Sequence, residues 1–144
     1  MSEFIEVKTA DLIGPALDWA VAKAQGWQMV RVPTDIDGNF GGEVLAPPDF
    51  SSDFKFPNRG RVGAAFFLRR WSADWAHGGP MIEKYRPDMQ TGSGGMVGAY
   101  LNNNGGDPAP LVCCTGETYL IALCRAIAFA KLGDTVQVPK ELMP

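Results

Sequence analysis

Two Asp-Trp pairs are the residues best suited to hold a ligand. Asp18-Trp19 sits in Ala16-Leu17-Asp18-Trp19-Ala20-Val21-Ala22. Asp74-Trp75 opens the run Asp74-Trp75-Ala76-His77-Gly78-Gly79-Pro80. The second pair places an acid, an indole and a Gly-Gly-Pro turn at the head of a helix. A helix start presents unpaired backbone N–H groups and suits an anion or polar ligand. Gly78 and Gly79 let a ligand approach the backbone, and Trp75 offers a ring face for stacking. The competing reading is a structural turn, with Asp74 capping the helix and Trp75 filling the core. Trp19 lies at the edge of an apolar helix face, with Asp18 roughly opposite that face. It reads as a pocket wall, and a subunit contact is the main competitor. Together Trp19, Asp74, Trp75, Gly78 and Gly79 are expected to converge on one concave site.

The sharpest charge feature is the segment Phe54–Ala73. It holds Lys55, Arg59, Arg61, Arg69 and Arg70 with no acid, interleaved with Phe54, Phe56, Phe66, Phe67 and Trp71. In a chain of formal net charge -3 this is a local positive patch able to meet phosphate, with Trp71 or Trp75 stacking on a ring. The competing reading is a solvated strand and loop with core phenylalanines. Arg125 lies in an almost wholly apolar stretch. A buried guanidinium must be paired, and Asp18, Asp74 or Glu83 would serve. Ligand contact is the second reading for Arg125 and Glu83.

Reactive chemistry finds little support. His77 is the only histidine, and no Cys/His spacing provides a metal site. Cys113, Cys114 and Cys124 form no CxxC and read as core thiols in a reducing compartment. A Cys-His pair with Cys113 or Cys114 would have to be assembled in space. Neither Gly92-Ser93-Gly94-Gly95 nor Thr115-Gly116-Glu117-Thr118 is a phosphate-binding P-loop, because no Gly-Lys-Ser/Thr follows. The expectation is a protein that is not an enzyme and uses no cofactor and no metal.

The elements that must position these residues are short. Phe4–Lys8 alternates as a strand, and Thr9 or Asp11 is placed to cap the helix that follows. In that helix Leu12, Ile13, Ala16, Leu17, Ala20, Val21 and Ala24 share one face, and Gly26 is the natural terminator. Trp27–Val32, Ala64–Leu68, Met96–Leu101, Leu111–Cys114 and Val136–Val138 read as further strands. Pro80–Arg86 reads as one or two helical turns stopped by Pro87, and Met89–Gly95 as a flexible Gly-rich stretch. A long helix follows Thr118 and ends at Leu132-Gly133. The expected fold is α+β: a small mixed or antiparallel sheet with two long helices and one short helix packed mainly on one face. At 144 residues, 46% hydrophobic and 20% charged, residues 1–144 read as a single domain with a real core. An irregular excursion runs from about residue 34 to about residue 61. The start of the chain shows no signal-peptide pattern, and no apolar run is long enough to span a bilayer.

With these motifs placed, the chain resembles the NinX-type family of small tailed-phage proteins. The stretches that carry the resemblance are Leu17-Asp18-Trp19-Ala20-Val21-Ala22, then Asp74-Trp75 with Gly78-Gly79-Pro80 and Ile82-Glu83. The third is Leu120–Arg125-Ala126 running into Leu132-Gly133-Asp134, Val136 and Val138-Pro139. The segment Gln28–Arg70 lies outside the resemblance. The resemblance implies a phage accessory role in the cytoplasm of the infected bacterial host and supplies no mechanism. Combined with the residues above, it gives the expectation of a protein that binds a small anionic nucleotide-like molecule and sequesters it, as with a host immune signal. The alternatives are an inhibitor of a host or phage protein acting through the 34–61 excursion, a nucleic-acid accessory factor, and lastly an enzyme. A homo-oligomer, dimer or higher, is expected from the aromatic content and from the prevalence of symmetric dimers. Membrane association and duplex nucleic acid are not expected.

Overall fold

Residue types at the ends of the apolar runs set where the elements start and stop. The computed structural model describes residues 4–31, 43–51, 67–101 and 112–143. In chain order these form β1 (Phe4–Lys8), α1 (Gly14–Ala24), β2 (Gln28–Arg31), β3 (Glu43–Ala46) and α2 (Trp75–Tyr85). Then come β4 (Asp88–Thr91), β5 (Val97–Leu101), β6 (Val112–Gly116), α3 (Tyr119–Leu132) and β7 (Thr135–Pro139). The fold is α+β, as expected, and among the described residues every strand pair is antiparallel. Among the described residues the strands divide into three sheets rather than one: β1 with β7, β2 with β3, and β4-β5-β6.

The centre of the molecule is α3. Thr118 caps it, its hydroxyl accepting from the Ile121 N–H at 3.1 Å, and Gly133 ends it at a φ of +91°. One side of α3 packs along β5 and β6 and another lies on α1. Leu120, Ala122, Leu123, Cys124, Ala126, Ile127 and Ala128 are all buried, which explains why the helix is apolar nearly all round. Helix α1 is equally enclosed. Seven consecutive residues, Ala16 to Ala22, are buried, so Asp18 is inside rather than on an open face. Fully buried Leu17, Val21, Leu123 and Ile127 form the heart of the core, each worth about 1.5–3 kcal/mol of burial.

The ends of the described chain meet. β1 pairs with β7 from Phe4↔Pro139 to Lys8↔Thr135. Thr9 does not cap α1, and neither does Asp11. The cap position is Ile13, with no side-chain bond. The Thr9 hydroxyl instead donates to the carbonyls of Gly133 and Asp134 at 3.0 and 3.1 Å, clasping the start of α1 to the α3–β7 turn.

Three readings are corrected here. The short helix expected from Pro80 begins at Trp75 and is as long as α1, with Pro80 inside it. Asp74 supplies the start signal, its carboxylate accepting the Ala76 N–H at 2.9 Å. The Gly-rich Met89–Gly95 stretch contains strand β4 and a tight turn, with Gly94 and Gly95 at positive φ. The 34–61 excursion contains strand β3, paired to β2 from Gln28↔Ala46 to Arg31↔Glu43. Most of the expected Ala64–Leu68 strand lies outside the described residues.

Helix α2 ends on Arg86, the one non-glycine residue of positive φ among the described residues (φ 48°, ψ 57°). A left-handed residue with a Cβ is strained, and glycine carries no such penalty. Arg86→Gly is therefore expected to raise stability by about 0.5–1 kcal/mol, read as a higher denaturation midpoint in urea. A fall of similar size would show that the arginine side chain contributes more than its backbone costs.

Candidate functional site

The site is built on the turn that leads into α2. The Arg70 carbonyl accepts from the N–H groups of Ala73 and Asp74, at 3.2 and 2.8 Å, which folds the chain back on itself. Two long-range bonds fix this turn in place. The Ser72 N–H donates to Asp18 Oδ1 at 2.8 Å, joining it to α1. The Arg70 N–H donates to His77 Nδ1 at 3.0 Å, joining it to the first turn of α2. Trp71, also in the turn, is buried edge-to-face against Trp27, with centroids 5.3 Å apart. The Arg69 guanidinium lies over the Trp27 ring at 5.7 Å.

Beside this turn runs a groove of about 290 Å³. Arg69 and Trp71 form one wall and Gln25, just past the end of α1, forms another. The rest is a single stripe of α2: Ala76, His77, Pro80, Met81 and Lys84. Those positions follow i, i+1, i+4, i+5 and i+8, the spacing of one helix face. The Lys84 ammonium donates to Gln25 Oε1 at 3.4 Å and lies over the Tyr85 ring at 5.2 Å. Gln25 Nε2 is buried with no hydrogen-bond partner among the described residues. Among the described residues no carboxylate lines the groove. Such a wall suits an acceptor-rich anion.

The expected site residues divide. Arg69, Trp71 and His77 line the groove. Arg70 does not, but its backbone positions His77. Trp71 is only 3% exposed, so it presents little surface to the groove. Trp19 is buried against Phe4, with centroids 5.9 Å apart and the Lys23 ammonium over its ring at 5.6 Å. It belongs to the core and not to the groove wall. Asp74 is the α2 cap, and Trp75 stands 56% exposed on the first turn, outside the lining. Gly78 is packed shut rather than open to a ligand: an added Cβ would collide with the Trp71 carbonyl and lie 2.7 Å from Leu120 Cδ2. Gly79 has room, with the Trp75 ring 3.7 Å from the same position. Glu83 is exposed on α2 outside the groove lining. Arg125 is not ion-paired with Asp18, Asp74 or Glu83. Its Nε and Nη1 donate to the carbonyls of Leu12 and Thr115, at 2.9 and 2.8 Å, and weld the start of α1 to β6. Arg59 and Arg61 lie outside the described residues.

The sequence reading does not single out Gln25, Met81 or Lys84, and Asp18 acts beneath the groove rather than in its lining. Burial pushes the Asp18 carboxyl above its ordinary 3.8, against the opposing pull of the Ser72 hydrogen bonds and of Arg70 and His77. Burial also drives the Cys124 thiol well up, and the nearby Asp18 charge adds to this, so the thiolate form is suppressed. Among the described residues no three His, Cys, Asp or Glu side chains gather as a metal ion would require. No helix of the described residues is long and apolar enough to cross a membrane.

No curated protein matches the chain. Residues 8–131, well over half of it, match the family model described as Bacteriophage P22, NinX. The motifs that gave the resemblance are thus placed as the α1 core, the α2 cap with its close-packed Gly78, and the central helix α3, and the chain belongs to the NinX family of phage proteins.

Proposed function

We propose that this phage protein works in the infected cell by binding a small anionic, nucleotide-like molecule in the α2 groove and holding it without chemical change. The observation that carries the reading is the groove wall: Arg69, Lys84 and His77 together, with no carboxylate among them. Arginine forks match phosphate oxygens, and an ammonium adds a point charge. Met81, Pro80 and Trp71 supply apolar surface for a ring. The groove volume is near the lower end of the range for small-molecule sites, which favours a small ligand over a polymer. The net charge of -3 also disfavours a long polyanion while leaving a local cationic site intact. In a phage protein, such a site supports the reading that the ligand sequestered is a host signalling nucleotide.

The test is calorimetric titration with linear and cyclic nucleotides, using the parent chain and an Arg69→Ala/Lys84→Ala variant. Each exposed charge-assisted contact contributes about 1 kcal/mol, so the double variant is expected to bind about thirtyfold more weakly. Absence of binding across the panel would transfer support to inhibition of a host protein. Among the described residues Trp75, Ile13, Phe4 and Met96 are the exposed large apolar residues for such a contact.

A further inference from the structure

We infer that the cationic wall of the groove is a subsite for a phosphomonoester, with His77 Nε2–H as a third donor beside Arg69 and Lys84. This rests on the reading under Proposed function and narrows its ligand class.

The argument starts from the tautomer of His77. A backbone N–H can only donate, and that of Arg70 points at Nδ1 from 3.0 Å. A neutral imidazole that accepts at Nδ1 carries its proton on Nε2. His77 is exposed and lines the groove, so this proton is available to a ligand there. The same logic orients Gln25. An ammonium has donors and no acceptor, so the amide oxygen must face Lys84 and the Nε2 group is left over. Three of the groove's polar side chains therefore offer donors: the Arg69 guanidinium, the Lys84 ammonium and the His77 imidazole. The hydrogen bond that Lys84 does make is long, at 3.4 Å, and yields to a stronger acceptor.

The complement of this wall is a group with several acceptor oxygens, no donors and about two negative charges. A phosphomonoester near neutral pH has three such oxygens and a charge of about -1.5 to -2. A cyclic or linear phosphodiester leaves two free oxygens and a single charge. The groove's size also suits one nucleotide unit rather than two joined ones.

The experiment compares adenosine 5′-monophosphate with 3′,5′-cyclic adenosine monophosphate by calorimetry, on the parent chain and on His77→Ala. His77 is exposed, so the variant is expected to fold, and its denaturation curve is recorded alongside. The parent chain is expected to prefer the monoester by about tenfold or more, and His77→Ala to reduce that preference severalfold. In 15N NMR of the free protein, the neutral imidazole is expected in its Nε2–H form. Equal binding of the two nucleotides, an unchanged preference in His77→Ala, or an Nδ1–H form overturns the inference while leaving nucleotide binding intact. Binding of neither overturns the parent reading together with this one.

Discussion

Gly78→Ala is expected to destabilise the protein by about 3 kcal/mol or somewhat more, while Gly79→Ala leaves it unchanged or slightly stabler. The two glycines are neighbours on α2, so helix propensity treats them alike and favours alanine at both by about 1 kcal/mol. Their surroundings differ. At Gly78 the new Cβ meets the Trp71 carbonyl and both methyls of Leu120, at 2.7 and 3.3 Å. A side-chain methyl can rotate aside, but the Trp71 carbonyl belongs to the turn that Asp18 and His77 hold. Helix α2 must shift away from that turn and from α3, opening the packing beneath the groove. At Gly79 the nearest atom is 3.7 Å away, an ordinary contact. Paired thermal melts decide the matter, with Gly78→Ala expected to lower Tm by roughly 10 °C. Equal effects at the two positions would show that α2 adjusts freely and that Gly78 is not its point of closest approach.

Asp18→Ala is the second large loss, about 2–3 kcal/mol. It leaves the buried Ser72 N–H without an acceptor, and an unsatisfied buried donor costs about 1–3 kcal/mol. The turn carrying Arg69 and Trp71 then loses its tie to α1, so ligand binding weakens as well. Asp18→Asn retains an acceptor oxygen and is expected to lose far less. Comparison of the parent with the Asn variant isolates the charge. The folded-state pKa of Asp18 is raised above 3.8, so the native protein binds its proton more tightly than the unfolded chain. The contribution is then fully present below the unfolded value and is lost as pH rises through the folded one. The parent should therefore gain stability relative to Asp18→Asn on acidification from about pH 7 to about pH 4. A change in the opposite sense would mean that hydrogen bonding to Ser72 outweighs burial.

Elements defined by local rules were legible in the sequence. Thr118 and Gly133 bracket α3, Gly26 follows α1, and β1, β2, β5, β6 and β7 appear where short apolar or alternating runs place them. Helix α2 was half hidden, because a proline normally marks a helix start or break. Here Asp74 starts the helix earlier, and Pro80 sits inside it. That misplacement concealed the groove, since the stripe from Ala76 to Lys84 exists only if Trp75–Tyr85 is one continuous helix. Strands β3 and β4 are four residues each and are bounded by turn-forming residues, Gly41-Gly42 and Pro47-Pro48 around β3 and Pro87 and Gly92 around β4, which masked them. The Asp18–Ser72 and Lys84–Gln25 bonds join residues 54 and 59 positions apart, and no local pattern reports such pairings. The sequence reading of Arg125 points to a carboxylate partner, and among the described residues the structure shows none. Its partners are backbone carbonyls, which carry no sequence signature.

Among the described residues, helix α2 makes few contacts with the other elements. It packs appreciably on α3 alone among the other elements, at the Gly78–Leu120 approach, and its outer end is tied to α1 by the long Lys84–Gln25 bond. Amide protons of α2 should consequently exchange with solvent through a local opening that leaves α1 and α3 closed. The groove exists only while α2 is docked, so an occupant bridging Arg69 and Lys84 draws on the same free energy that keeps the helix in place. Occupancy and docking then become one equilibrium. By mass action a ligand at a hundred times its Kd would slow exchange in α2 by about two orders of magnitude while barely altering the rate at the centre of α3 wherever the latter exchanges by an opening that keeps the groove intact.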